Sequence, residues 1–229
     1  MFGYFIIMGV FTVAGMVLSG KLKSVFNKYS QYQTSSNMTG QQVAIAMLKH
    51  YGIHDVKVVP GKGSLTDHYN PITKTIALSE PVFNSKSISA AAVAAHECGH
   101  AVQHATSYSM LKMRSTLVPV VNFSSKAQQF VMMGMMMGLG AGLLNQGLML
   151  GILTATFGVT ALFSIITLPV EFDASNRALA WLDETGITQG AEYDGAKTAL
   201  WWAAMTYVSQ ALMALAMFLF FLTRFMGQD

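Results

Sequence analysis

Long stretches without charge constrain the fold of this chain more than any other feature. Residues 127–170 contain no Asp, Glu, Lys or Arg, and residues 1–20 and 198–223 are equally uncharged. An α-helix of about 20 residues crosses the roughly 30 Å hydrocarbon core of a bilayer. Because the 127–170 stretch is about twice that length, it predicts a transmembrane hairpin that turns near Asn145. With helices over 1–20 and 201–223, the sequence predicts four membrane spans.

The composition agrees with a membrane protein and excludes several other classes. Of the 229 residues, 52% are hydrophobic and only 11% are charged, whereas soluble domains average about 25% charged residues. The single cysteine excludes an intramolecular disulfide scaffold and a four-cysteine zinc site. The net charge of +3 is not concentrated in a basic run, so we expect no nucleic acid as a partner.

The basic residues predict which side of the membrane holds the soluble segments. Every Lys and Arg except Arg224 lies in residues 21–126 or 171–200. Short cytoplasmic segments of membrane proteins carry the excess of positive charge. We therefore expect both segments in the cytoplasm, after an uncleaved anchor over 1–20. Basic residues outnumber acidic ones in 21–126 and the reverse holds in 171–200, which favours docking of the two segments.

Within residues 21–126 the local patterns predict a small domain in the order helix, strand, strand, helix. Thr39 and Gln42 have the spacing of a capping box that begins the first helix. The runs Val56–Val59 and Thr73–Leu78 have the composition of strands. Together with the membrane helices, these elements predict a mainly α fold with a small β element (α+β).

The last predicted helix of this domain carries a metal-binding pattern. Ser87 or Ser89 can cap this helix, and its alanine-rich sequence extends to about His104. Residues four apart on a helix share one face, so His96 and His100 can each direct a ring nitrogen to the same ion. The pair therefore predicts a zinc site.

Glu97 is the expected general base of this site. The sequence His96-Glu97-Cys98-Gly99-His100 matches the H-E-x-x-H pattern, in which the glutamate lies beside the ion. Its carboxylate can take a proton from a water molecule that the metal activates. Only three of the five positions are fixed, so a chance match is the alternative; the independently predicted helix favours zinc.

A catalytic zinc site also needs a third protein ligand. Glu171 is the favoured candidate, because it directly follows the predicted hairpin, which returns the chain to the side of the histidines. A helix that begins after Pro169 places Glu171 and Ser175 on one face. Asp173 points elsewhere on this helix and is the alternative ligand.

Three stretches together resemble a known family. They are His96–His100, Glu171–Ser175 and Asp67–Pro71, and they occur in the order found in the YugP-type bacterial membrane neutral zinc metallopeptidases. The resemblance extends from about Lys21 to Tyr207. More distantly, the chain is similar to the HtpX-like gluzincin proteases.

The resemblance implies a site and an activity. It implies one zinc ion at His96, His100 and Glu171, with Glu97 as general base. It also implies hydrolysis of peptide bonds in membrane-associated proteins or peptides, at the cytoplasmic face of a bacterial inner membrane. The chain departs from the wider gluzincin pattern at Ser175, where an Asp usually supports a ligand histidine. A hydroxyl accepts a hydrogen bond more weakly than a carboxylate does.

Two features of substrate handling stay open at the level of sequence. The oxyanion donor that acyl transfer needs has four candidates, which are His68, Arg177, Tyr193 and Tyr207. The strand Thr73–Leu78 can act as an edge to which an extended substrate adds by main-chain pairing. Its alternative interpretation is a purely structural hairpin.

Two function classes also remain. The first is a zinc endopeptidase with peptide or membrane-protein substrates, and the second is a non-proteolytic zinc-binding scaffold or chaperone in the same lipid bilayer. An intact Glu97 favours the enzyme, because a structural zinc site has four protein ligands and no use for a base. Gly134, Gly138 and Gly142 form a stripe of small residues that predicts close helix packing, either within the hairpin or in a homo-oligomer.

Overall fold

The computed structural model describes residues 2–137 and 146–227. Within them the chain is mainly helical with a small mixed sheet, as the sequence predicts. The helices are α1 Phe2–Tyr29, α2 Gly40–His50, α3 Glu80–Phe83, α4 Ile88–Ala105, α5 Ser109–Met136, α6 Gln146–Glu184 and α7 Ala191–Met226. The strands are β1 Lys57–Gly61, β2 His68–Asn70 and β3 Thr75–Ser79.

The chain forms two compact units. The first unit comprises Met1–Val17, Lys112–Leu168 and Thr206–Asp229, and the second comprises Leu18–Leu111 and Pro169–Met205. All three strands and the helices α2, α3 and α4 belong to the second unit. Most residues of the charged segments 21–126 and 171–200 thus belong to this unit; their docking through complementary charge stays a prediction.

Three helices in the described part of the chain are long and apolar enough to cross a membrane, so the prediction of four spans is wrong. They are α1, α6 and α7. The first arm of the hairpin predicted over 127–170 is not among them. Its described residues belong to α5, which begins as early as Ser109 and carries polar side chains such as Asn122, Lys126 and Gln128. This polarity lowers the hydropathy of α5 below that of a membrane span.

Two expectations fall on residues that the structure does not describe. The turn of the predicted hairpin at Asn145 is one of them, and the glycine stripe is the other, because Gly138 and Gly142 lie outside the described residues. The stripe and the homo-oligomer it favours stay predictions.

The helix predicted to begin after Pro169 is the C-terminal part of the longer helix α6, which continues through the proline. Proline removes one helical hydrogen bond and usually ends or kinks a helix. Here the next turn is held by packing, since Val170 and Ala174 are completely buried in the second unit. Tertiary burial outweighs the local preference at this position.

β3 is the central strand of the sheet, whose order is β1–β3–β2. It pairs in parallel with β1, with Thr75 opposite Lys57, and antiparallel with β2, with Ala77 opposite His68. The expectation that Thr73–Leu78 offers an open edge to substrate is therefore wrong, because both edges of β3 are paired within the chain. β2 has no counterpart among the predicted strands, since three residues are too short for an alternating pattern.

The predicted caps of α2 and α4 are confirmed. The Thr39 hydroxyl accepts a hydrogen bond from the Gln42 backbone N–H, and the Gln42 side chain accepts one from the Thr39 N–H. The Ser87 hydroxyl accepts a hydrogen bond from the Ala90 N–H at the start of α4. Both helices bury their apolar faces in the core of the second unit, which holds α4 in a defined position.

Candidate metal centre

Three predicted zinc ligands meet in the second unit. The Nε2 atom of His96 lies 3.4 Å from Oε2 of Glu171, and Nε2 of His100 lies 3.5 Å from the same oxygen. Donor atoms of the three residues all lie within 4.8 Å of one another. Asp173, the alternative ligand, is not part of this group. The structure thus brings together the set in which Glu171 is the third donor.

These separations fit a zinc ion. Two donor atoms at about 2.0–2.1 Å from zinc, at a tetrahedral angle, lie about 3.3 Å apart, close to the two observed distances. The same distances are long for N–H···O hydrogen bonds, which are typically about 2.9–3.0 Å. Two imidazole nitrogens and one carboxylate oxygen also form a donor set found in catalytic zinc sites. The residues present therefore fit the ion.

Gly99 allows α6 to approach the two histidines. It stands between His96 and His100 on α4, and a Cβ atom at this position would lie 2.5 Å from the carbonyl oxygen of Ala174. Any larger residue would therefore push the backbone of α6 away from α4. Because Glu171 lies one helical turn before Ala174, this close approach places its carboxylate opposite the histidines.

Each histidine has a contact at its second ring nitrogen. His96 Nδ1 lies 3.1 Å from the Ser175 hydroxyl, and His100 Nδ1 lies 3.0 Å from Oε1 of Gln103. Such contacts orient a metal-binding imidazole. The contact of Ser175 is the one that the family resemblance implies. Gln103 is absent from the sequence predictions, and its spacing of three residues from His100 on one helix is the signal that could have revealed it.

Glu97 has the setting expected of a proton acceptor. Its side chain is buried, with 8% of the residue exposed, and it does not belong to the group of three donors. In the described part of the chain its carboxylate has no hydrogen-bond or ion-pair partner. The carboxylate acts on His100 through its charge rather than through a hydrogen bond or an ion pair, and its role as general base stays a prediction.

The charge of the Glu171 carboxylate acts on the imidazole rings of the centre. Burial lowers the pKa of the His100 imidazole, but Glu171, together with the Glu97 charge and the Gln103 contact, more than offsets this effect and raises the pKa above its ordinary value. Glu171 itself is 2% exposed. A buried carboxylate between two imidazoles favours a cation at the same place, either a proton or a metal ion.

Neighbouring polar residues of α4 lie outside the centre. Cys98 is completely buried, its thiol donates to the carbonyl oxygen of Ala44, and burial raises the pKa of this thiol well above its ordinary value. His104 Nδ1 lies 2.7 Å from the Tyr69 hydroxyl oxygen. Neither residue belongs to the group of three donors.

The four candidate oxyanion donors have different locations and contacts in the structure. His68 begins β2, and its Nδ1 atom lies 2.8 Å from the carbonyl oxygen of Thr66. Tyr207 belongs to the first unit. Arg177 Nε donates to the Asp173 carboxylate. Tyr193 lies in the second unit near the start of α7. The oxyanion donor therefore stays an open prediction among them.

Comparison with known proteins agrees with this geometry. The family described as "Putative neutral zinc metallopeptidase" matches residues 4–226. The chain is 42% identical over 223 residues to the Bacillus subtilis (strain 168) protein described as "Putative membrane protease YugP". The aligned region covers 95% of this chain and 96% of that protein. No solved structure shows a significant match. The resemblance drawn from the motifs is thus confirmed, and the chain belongs to the "Putative neutral zinc metallopeptidase" family.

Proposed function

We propose that this chain is a membrane-bound zinc endopeptidase that cleaves membrane-associated proteins or peptides at the cytoplasmic face. The observation that carries the proposal is the convergence of the donor atoms of His96, His100 and Glu171. The buried Glu97 follows His96 in the sequence, and its charge acts on His100. The family description and the relative's description as a membrane protease support the same activity.

In this proposal His96, His100 and Glu171 hold one zinc ion, and Glu97 moves the proton. When bound, zinc supplies Lewis acidity, which polarises a peptide carbonyl and makes water acidic enough to give a nucleophile near neutral pH. The Glu97 carboxylate accepts the proton of the attacking water and passes it to the leaving amine nitrogen. Ser175 and Gln103 orient the two imidazoles.

A zinc-binding scaffold or chaperone is the second candidate. Structural zinc sites are usually closed by four protein ligands, whereas catalytic sites use three. In the described residues, three donors form the group. Glu97, which follows His96 in the sequence, supplies a carboxylate that a scaffold would not use. These observations favour the enzyme.

Zinc-dependent cleavage by the full chain in detergent tests the proposed function. We expect one zinc ion per chain and hydrolysis of unstructured peptides or casein, both lost after chelation and both restored by added Zn²⁺. Added Mg²⁺ or Ca²⁺ should not restore cleavage, because these ions prefer sets of oxygen ligands. Metal analysis and a fluorogenic peptide assay measure the two quantities. Full zinc occupancy without cleavage of a broad peptide library would support the scaffold instead.

The cytoplasmic orientation rests on charge and on the apolar surface of α1. Basic residues dominate 21–126, directly after the uncharged stretch 1–20. In α1 the side chains of Val10, Val13 and Val17 are between 60% and 65% exposed. Exposed apolar side chains in the uncharged stretch of this helix suit a lipid environment. The positive-inside rule then assigns the second unit to the cytoplasm.

Cysteine labelling in intact cells checks this orientation. In a Cys98→Ala background, Lys62→Cys and Gln189→Cys should react with a membrane-impermeant maleimide only after permeabilisation, because both exposed positions belong to the second unit. Phe2→Cys should react without permeabilisation, because α1 carries the chain across the bilayer. Labelling of Lys62→Cys in intact cells would contradict the proposed orientation.

A further inference from the structure

Gln103 lies at the centre of a buried hydrogen-bond network. It stands on α4 and is completely buried. Its Oε1 atom lies 3.0 Å from His100 Nδ1. Its Nε2 atom donates to the carbonyl oxygen of Val170 and to Oδ2 of Asp173, both at 2.8 Å. The amide therefore connects one ligand histidine of α4 to α6.

The chemistry of these partners fixes the orientation of the amide. A carbonyl oxygen and an ionised carboxylate can only accept hydrogen bonds, so the NH₂ group of Gln103 must face Val170 and Asp173. The amide oxygen must then face His100, and because it cannot donate, the Nδ1 atom of His100 must carry a proton. In the neutral ring this leaves Nε2 with its lone pair on the side of Glu171, as a metal ligand requires.

Asp173 is in turn held by a cation. Arg177 Nε donates to Oδ2 of Asp173, the same oxygen that accepts from Gln103, at 2.6 Å. The guanidinium carbon of Arg177 lies 5.8 Å from the centre of the Tyr108 ring. The side chains of Asp173 and Arg177 are 28% and 29% exposed. A partly hydrated ion pair thus anchors a completely buried amide.

In the described part of the chain, the other ligand histidine, His96, has no amide partner of this kind. His96 Nδ1 contacts the Ser175 hydroxyl, and a hydroxyl can either donate or accept. This contact orients the His96 ring but does not choose its tautomer. The two histidines are therefore held unequally, and the stronger constraint acts on His100.

We propose that Asp173 is a positioning residue, which acts through Gln103 to hold His100 as its Nδ1–H tautomer and so strengthens zinc binding. The proposal rests on the zinc site of the proposed function. It gives Asp173 a role that differs from that of the alternative ligand considered on sequence grounds. Partners of this kind typically contribute about 10–100-fold to metal affinity.

The test compares Asp173→Ala with Asp173→Asn in the full chain, purified in detergent and labelled with ¹⁵N-histidine. Zinc affinity is measured by chelator competition, and the metal-free tautomers by ¹⁵N NMR at a pH where imidazole is neutral. Asp173→Ala should weaken zinc binding by about 10–100-fold and move the His100 signals away from the Nδ1–H form. Asp173→Asn keeps an acceptor oxygen and should retain most of both properties.

His96 provides the internal control, because Ser175 rather than Gln103 contacts it. Its tautomer signals should not change in Asp173→Ala, and Ser175→Ala should leave those of His100 unchanged. Gln103→Leu removes the acceptor opposite Nδ1 at similar volume and should alter His100 at least as much as Asp173→Ala does. If the Asp173→Ala protein does not fold, the His100 tautomer and the zinc affinity of Gln103→Leu decide the test.

Three outcomes would overturn the inference. One is an unchanged His100 tautomer in Asp173→Ala or Gln103→Leu. Another is an equal change at both histidines with a general loss of stability, since it would show a merely structural link between α4 and α6. The third is complete loss of zinc from folded Asp173→Ala, because it would make Asp173 a ligand. Neither readout requires peptide cleavage, so failure of the protease proposal would be distinguishable.

Discussion

Replacing Glu97 with Gln should leave zinc bound and the fold intact, while the rate of peptide cleavage falls about 10²–10⁴-fold, the usual contribution of a general base. Glutamine has the same length as glutamate but cannot accept a proton from water at neutral pH. Glu97 does not belong to the group of His96, His100 and Glu171, so the substitution removes no donor from the centre. Measurements of kcat/KM, zinc content and thermal unfolding separate these effects.

The matched control is Glu80→Gln, which removes an exposed carboxylate from the same unit. This variant should cleave peptides as the wild type does. Cleavage by Glu97→Gln at the wild-type rate would exclude Glu97 as the base. Loss of zinc from a folded Glu97→Gln protein would instead mean that Glu97 takes part in metal binding, which contradicts the geometry of the centre.

The sequence predicts features whose determinants lie close together along the chain. The capping box of Thr39 and Gln42 depends on residues three apart, and the histidine pair depends on residues four apart on one helix. These interactions form once the helix forms, so spacing alone reveals them. The family resemblance is predictable for the same reason, because short motifs in a fixed order carry it.

Features that depend on packing between distant segments are predicted less well. Pro169 is a local signal for a helix end, but burial of Val170 and Ala174 carries α6 through it. β2 is three residues long, and its existence depends on its pairing with β3. Local propensity cannot report either case, because the stabilising partner lies elsewhere in the chain.

The first arm of the predicted hairpin shows a different reason why a prediction from sequence can be wrong. The stretch 127–170 is uncharged, but it begins with polar amides such as Gln128 and Gln129. α5 begins well before this stretch, so its described part includes Lys126 and several amides. Absence of charge is therefore a weaker criterion for a membrane span than hydropathy is, and its use gave one span too many.

The support of the two histidines is the part of the site that the sequence predicts least. The expected Asp is replaced by Ser175 at His96, and the chain instead supplies a carboxylate to the other histidine through Gln103. Position 173 lies 70 residues from Gln103 along the chain. This hydrogen-bond network can be recognised only in the structure, because it joins residues of α4 and α6.

Replacing Glu171 with Ala should abolish stoichiometric zinc binding and, with it, all zinc-dependent cleavage. The substitution removes the only anionic donor of the three-residue group, so its effect should exceed the about 10–100-fold loss expected for an outer-shell partner such as Asp173. Metal analysis after gel filtration and chelator competition measure the loss. Glu184→Gln, at the exposed end of the same helix, is the control and should retain zinc. A folded Glu171→Ala protein with one tightly bound zinc ion would exclude Glu171 as a ligand, since two imidazoles alone do not complete a catalytic zinc site.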